Sequence, residues 1–237
     1  MSKPYKAVLF DLFGTLVDNF SVAEYRAILE EMSAILKTPP EDFRRLWSAT
    51  FRDRCTGVHG DQRDSYRFIC RELGIGVSKE QVEEAFRLRL AFTVRSLKPR
   101  PDTVNTLETI RVAGLKTALI SDCSGEVPVA WPETPFAGLF DYTVFSCVAG
   151  ALKPDTRLYR EATTALGVEP EACVYVGDGN NRELTGARDL GMRAVLIRDP
   201  GEPPEVQVNT REDDWDGDRI ACLSELLPLL GLVDPGQ

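Results

Sequence analysis

No stretch of this 237-residue sequence approaches the roughly 20 consecutive apolar residues of a membrane span. The apolar segment near the N-terminus is interrupted by Asp11, and no small-residue cleavage site follows it. A cytoplasmic protein without a membrane partner is therefore expected. Basic residues are in deficit: 28 Lys and Arg stand against 37 Asp and Glu, a net charge of −9. A general nucleic-acid binder shows a basic footprint, so nucleic acid is not an expected partner. A small anionic substrate stays open, because local Arg overrides global charge. The six cysteines are scattered and form no C-x-x-C, which points to reduced and mostly buried thiols. There is no internal repeat. The one histidine, His59, lies in a Gly-containing loop and reads as a loop residue rather than a base.

What is present is ample apolar material, 43% of residues, in two arrangements. Residues 6–10, 115–120, 142–147, 173–177 and 193–197 are short continuous apolar runs. Such runs, separated by helical patterns, indicate a parallel sheet buried on both faces. Helices are expected at 103–113, from Pro154-Asp155 to Leu166, and from Glu183 to Leu190, each followed by Gly. Residues 18 to about 96 hold no convincing strand. They carry amphipathic segments at 23–36, 41–54, 61–73 and 79–96, broken by Pro39-Pro40, Gly57 to Gly60, and Gly74 to Gly76. The expected organisation is an α/β core, 1–17 and 97–237, with a four-helix insert at 18–96. A loop is expected after Arg198, and a last helix from Ile220 to Leu230.

The chemistry-bearing residues fall at strand ends. In AVLFDLFGTLVD (7–18) a buried strand ends on Asp11, and Gly14 turns the chain. A carboxylate at that point is well placed for nucleophilic attack, because the strand fixes it and the loop leaves its face open. Ser121 follows the second strand in LISDCS. Lys153 precedes a helix in GALKPD. Asp178 and Glu183 follow the fourth strand in VYVGDGNNREL. In a doubly wound parallel sheet these ends share one edge, so residues distant in sequence converge there.

These four segments, in order and spacing, resemble the motifs of the haloacid dehalogenase (HAD) superfamily over 6–17 and about 98–200. The insert resembles that superfamily's small α-helical cap. The resemblance implies a doubly wound, Rossmann-type α/β core and a hydrolase acting on a small molecule. It implies Asp11 as nucleophile, forming a covalent aspartyl intermediate, Ser121 as hydrogen-bond donor to the transferred group, and Lys153 as its charge partner. It also implies Mg²⁺, held by Asp11, the Phe13 main-chain oxygen and Asp178, with Glu183 holding a metal-bound water or Lys153.

Phe13 departs from the pattern, since phosphatases of the superfamily usually carry a general acid/base Asp there. Three chemistries and one non-catalytic reading follow. A Mg²⁺-dependent phosphohydrolase is favoured by Asp178 and Glu183. A metal-independent 2-haloacid dehalogenase needs no acid at position 13, because halide leaves unprotonated; Asp122 after Ser121, and Asp178 itself, stand against it. Phosphonatase-type cleavage needs a cap lysine, and only Lys37 and Lys79 are available. A catalytically weak binding or regulatory module leaves the retention of Asp11, Ser121, Lys153 and Asp178 unexplained. For substrate selection the segment 52–60 stands out, with Arg52 or Arg54 placed to read a second anionic group. Asn19, Phe20 and Tyr25 open the insert near Asp11, and Phe13, Asn19 and Asp122 are further candidates for lining the pocket.

Overall fold

The computed structural model describes residues 5–200 and 215–232. The chain begins with β1 (Ala7–Phe10) and then enters five consecutive helices: α1 (Val22–Ile35), α2 (Pro40–Ala49), α3 (Phe51–Cys55), α4 (Gln62–Glu72) and α5 (Lys79–Ser96). The α/β alternation follows as α6 (Thr103–Val112), β2 (Lys116–Ser121), α7 (Glu126–Ala130), β3 (Tyr142–Phe145), α8 (Ser146–Ala149), α9 (Thr156–Leu166), β4 (Cys173–Gly177), α10 (Glu183–Asp189) and β5 (Arg193–Ile197). A short β6 (Asp218–Ile220) and α11 (Leu226–Leu229) close it.

All strands are parallel, in the order β3-β2-β1-β4-β5-β6. Phe10 of β1 lies beside Leu119 of β2 and Val176 of β4. Both faces are covered, which is why the strands read as unbroken apolar runs rather than alternating ones. Val8, Phe10, Leu119 and Val176 pack into one layer, and Leu9, Ala118, Ile120 and Tyr175 into the other. The winding reverses between β1 and β4, so a crevice opens beyond their carboxyl ends.

The helical insert has its own apolar cluster, built from Met32, Phe43, Trp47, Tyr66, Ile69 and Phe86 among others. Its helices start where polar caps allow. Ser21 accepts from the Glu24 amide, Asp61 from the Arg63 amide, and Ser78 with Gln81 forms a reciprocal capping box.

Three expectations need correction. The helix read over 41–54 is two helices, broken at Thr50. The Thr50 hydroxyl bonds back to the Leu46 carbonyl at 2.8 Å, and the residue sits at φ −93°, ψ 12°. Such back-bonding competes with the helical ladder. The third strand stops at Phe145, and Ser146–Ala149 turns into α8 instead. The terminal helix expected from Ile220 begins only at Leu226, because Ile220 pairs with Ile197 as the last residue of β6. A three-residue strand is too short to show a periodicity. The loop expected after Arg198 lies largely outside the described residues. Among the described residues, no helix is long and apolar enough to cross a membrane.

Candidate active site

Asp11 leaves β1 with its amide bonded to the Val176 carbonyl of β4 at 2.9 Å. The Leu12 carbonyl then accepts the Leu16 and Val17 amides at 2.9 and 3.1 Å, folding 12–17 into a tight loop over the crevice. Gly14 sits at φ +80°, and a Cβ there would lie 2.3 Å from Asp178 Oδ2. Only glycine lets the loop after β1 pass this close to the carboxylate after β4.

Asp11, Asp178 and Glu183 are all buried. Each offers a carboxylate oxygen within 4.8 Å of the others. Lys153 lies among them. Its ammonium donates to Asp11 Oδ1, to Glu183 Oε2 at 2.6 Å and to the Ile120 carbonyl at 3.3 Å. Glu183 is held further: Oε2 also accepts from the Tyr175 hydroxyl at 2.8 Å, and Oε1 accepts from the Gly179 amide at 2.9 Å. Gly177 makes room for it, since a Cβ there would meet Glu183 Oε1 at 2.3 Å. The geometry therefore gives Glu183 the task of holding Lys153.

Burial pushes the Asp11 carboxyl up to about 7, against the pull of Lys153 and with the push of Glu183. Glu183 is likewise raised to about 7, by burial first, with Lys153 opposing and Asp178 adding to the shift. Burial pulls the Lys153 ammonium down, but the Asp11 and Glu183 carboxylates outweigh it and hold its pKa well above the ordinary lysine value. The three carboxylates and one ammonium leave a formal charge of −2 when all are ionised. Clustered hard oxygen donors with that surplus suit a divalent cation such as Mg²⁺.

A cavity of ≈ 120 Å³ opens over this cluster and is lined from both sides. Asp11, Phe13, Asp122, Lys153, Asn180 and Asn181 come from the core, and Asn19, Phe20, Tyr25, Phe51, Arg54 and Arg89 from the insert. Asp122 is a brace: Oδ1 accepts the Lys153 amide at 3.1 Å and Oδ2 accepts Asn181 Nδ2 at 2.9 Å. Asn19 Nδ2 donates to Asp178 Oδ2 at 3.3 Å, and Asn180 Nδ2 does so at 2.7 Å. Ser121 ends β2 fully buried, its hydroxyl without a hydrogen-bond partner among the described residues. Phe13 stacks obliquely on Phe20, ring centroids 4.6 Å apart, and Phe20 packs on Tyr25 and Phe92. Where a second acid is usual, this chain has an aromatic wall.

The segment 52–60 divides. Arg52 is exposed and does not line the cavity, and His59 stacks on Phe68 at 4.2 Å. Arg54 is buried and reaches the cavity from α3 rather than from a loop. Lys37 and Lys79 are both exposed and away from the cavity, so neither supplies the amine that phosphonatase chemistry requires. Arg89, Asn180, Asn181 and Tyr175 escape the sequence reading. Arg89 sits in a helix dotted with arginines, where only tertiary packing separates the buried one from its solvated neighbours. Tyr175 is one more apolar-looking strand residue. Asn180 and Asn181 stand inside a motif whose Asp and Glu draw attention first.

A doubly wound α/β sheet with an acid–lysine cluster at its switch point, under a helical insert, defines a narrow class of proteins. The sequence profile of haloacid dehalogenase-like hydrolases matches residues 5–191, and the chain belongs to that family. It is 28% identical over 229 residues to an (S)-2-haloacid dehalogenase from Pseudomonas sp. (strain YL), covering 93% of this chain and 94% of that one. It is also 28% identical over 225 residues to a glyceraldehyde 3-phosphate phosphatase from Methanopyrus kandleri, covering 90% and 93%. The crystal structure of a HAD phosphatase from Thermococcus onnurineus superposes with a TM-score of 0.65 at 25% identity, covering 97% and 99%. Relatives of both chemistries thus stand at the same distance.

Proposed function

We propose that the protein is a Mg²⁺-dependent phosphohydrolase acting on a small phosphate ester, with Asp11 as nucleophile. The observation that carries this reading is Asp178, buried beside Asp11 in a cluster whose formal charge is −2 when all its groups are ionised. Displacing a halide needs no second buried carboxylate there. Asp11, Asp178 and the Phe13 main-chain oxygen would hold the ion. When bound, Mg²⁺ supplies positive charge that keeps Asp11 ionised and offsets the charge of a phosphoryl group.

A carboxylate oxygen of Asp11 attacks phosphorus, and the bond from phosphorus to the ester oxygen breaks. Lys153, held by Glu183 and Tyr175, faces the charge that develops on the phosphoryl oxygens. Ser121 and the Asn180–Asn181 turn contribute hydrogen-bond donors at the same edge. Water then attacks the acyl phosphate at phosphorus, releasing phosphate and restoring the Asp11 carboxylate. Phe13 gives no proton to the leaving oxygen, so that proton comes from water. Residues 18–96 act as a cap that excludes bulk solvent and shapes the pocket.

A second reading is favoured by the aromatic wall. Phe13, Phe20 and Tyr25 would cradle an apolar carbon bearing a halide, which leaves without a proton. The deciding experiment compares wild type with Asp11→Asn on a panel of phosphomonoesters, with and without Mg²⁺. Metal-dependent phosphate release that disappears in the variant supports the phosphohydrolase. Halide release from 2-haloacids without metal, and no phosphate release, overturns it in favour of the dehalogenase.

A further inference from the structure

Arg54 and Arg89 are the two arginines that line the active-site cavity, and they are only 3% and 4% exposed. Both are held by rings. The Arg54 guanidinium lies 3.8 Å from the centroid of the Trp47 ring. The Arg89 guanidinium lies 5.0 to 5.6 Å from the Phe92, Tyr25 and Phe20 rings. Such stacking positions a planar cation without neutralising it.

Their hydrogen bonding is incomplete. Arg54 Nη1 donates to the Trp47 carbonyl and to Thr50 Oγ1, the latter at 2.7 Å, while Arg54 Nε has no partner among the described residues. Arg89 Nε and Nη1 also have none. The neighbouring anion is Glu126, whose Oε1 stands 3.8 Å from Arg89 Nε, beyond hydrogen-bond reach. Its oxygens are already engaged, Oε1 by the Tyr66 hydroxyl and Oε2 by the Ser124 hydroxyl, each at 2.7 Å. Two guanidiniums against one carboxylate leave this end of the cavity with a surplus of +1. Buried guanidinium N–H groups without acceptors are costly, and a planar oxyanion bonded by a guanidinium fork removes that cost.

We propose that Arg54 and Arg89 form a carboxylate-binding subsite, so that the substrate is a compact phosphate ester carrying a carboxylate at its other end. The inference rests on the phosphohydrolase reading for the phosphate end alone. A surplus of one positive charge matches a carboxylate and falls short of a second phosphoryl group. The cavity volume, ≈ 120 Å³, lies below the roughly 300–1,000 Å³ of pockets that take drug-sized ligands, which restricts the spacer to a few atoms.

The test is calorimetric titration of the full chain carrying Asp11→Asn, in Mg²⁺, with 3-phosphoglycerate and with glycerol 3-phosphate. The two ligands share a three-carbon frame and differ by carboxylate against hydroxymethyl. Phosphoglycerate is expected to bind tighter by about tenfold or more, the range of a charged hydrogen bond. Adding Arg54→Met or Arg89→Met should bring the ratio to near one. A purely structural role for these arginines would weaken both ligands alike and leave the ratio intact. If Arg89→Met fails to fold, Arg89→Lys and Arg54→Met decide. Equal affinities in the parent, binding of neither ligand, or a ratio that survives the arginine variants overturns the subsite. Phosphate release from p-nitrophenyl phosphate by the wild type judges the phosphohydrolase reading separately, since that ester carries no carboxylate.

Discussion

The Lys153 ammonium bridges Glu183, at 2.6 Å, and Asp11, and so ties the carboxylate after β1 to the start of α10. Tyr175 and the Gly179 amide complete the grip on Glu183. Glu183→Gln removes the buried charge that balances Lys153. Breaking such a pair costs about 3–5 kcal/mol of stability. On the proposed chemistry the displaced ammonium no longer faces the transferring group, and kcat should fall by roughly 10²-fold. Denaturant unfolding and steady-state kinetics check the two effects separately. An unchanged kcat would exclude a positioning role for Glu183.

Phe13 in place of an acid predicts a steep dependence on the leaving group. The wild type should hydrolyse p-nitrophenyl phosphate far faster than an alkyl phosphate of similar size. Phe13→Asp should narrow that difference by raising the alkyl rate tenfold or more, within the roughly 10²–10⁴-fold that acid–base help supplies. It also removes a ring that packs against Phe20, so KM should rise. A difference that Phe13→Asp leaves untouched would show that protonation of the leaving oxygen is not what limits the wild type.

Gly14 brings the loop after β1 up against Asp178. Gly14→Ala places a methyl 2.3 Å from Asp178 Oδ2 at a φ of +80°, so the loop, the carboxylate or both must move. On the proposed metal site, Mg²⁺ affinity should drop by at least tenfold, with a smaller loss of thermal stability. Titration of the metal followed by activity, and by melting temperature, reads both. Full Mg²⁺ affinity in this variant would remove the loop after β1 from the metal site.

The carboxyls of Asp11 and Glu183 are both raised to about 7 by burial. In the unfolded chain they titrate near their ordinary values of 3.8 and 4.5. Between about pH 4 and 7 the folded protein therefore holds protons that the unfolded chain has released, and their contribution to stability falls as pH rises through that window. It is largest below the window and constant above it. Asp11→Asn, neutral at every pH, should gain in melting temperature relative to metal-free wild type on going from pH 5 to 8. Added Mg²⁺ should shrink that gain by stabilising ionised Asp11. A difference independent of pH would mean that Asp11 titrates like an ordinary carboxylate.

The sequence by itself determined the sheet and which side chains gather at its edge. Asp11, Ser121, Lys153, Asp178 and Glu183 were legible because each follows or precedes a strong local signal, a continuous apolar run or a Gly or Pro break. Parallel topology then obliges such ends to meet. The helix from Lys79 to Ser96 was legible to its bounds from its amphipathic pattern after the break at Gly74 to Gly76, and the structure opens it with a capping box. Other features had no local signature. The break at Thr50 comes from one hydroxyl turning back on the helix, and β6 exists only because β5 is there to pair with it. The contact of Glu183 with Lys153 depends on three donors brought from Lys153, Tyr175 and Gly179 together with the slot left by Gly177. Above all, Arg52, Arg54 and Arg89 are indistinguishable as letters among the arginines of the helical insert. Whether a guanidinium is solvated or sealed into the cavity depends on how α5 packs against α7 and α3 against α8, and that is a property of long-range contacts rather than of neighbours along the chain.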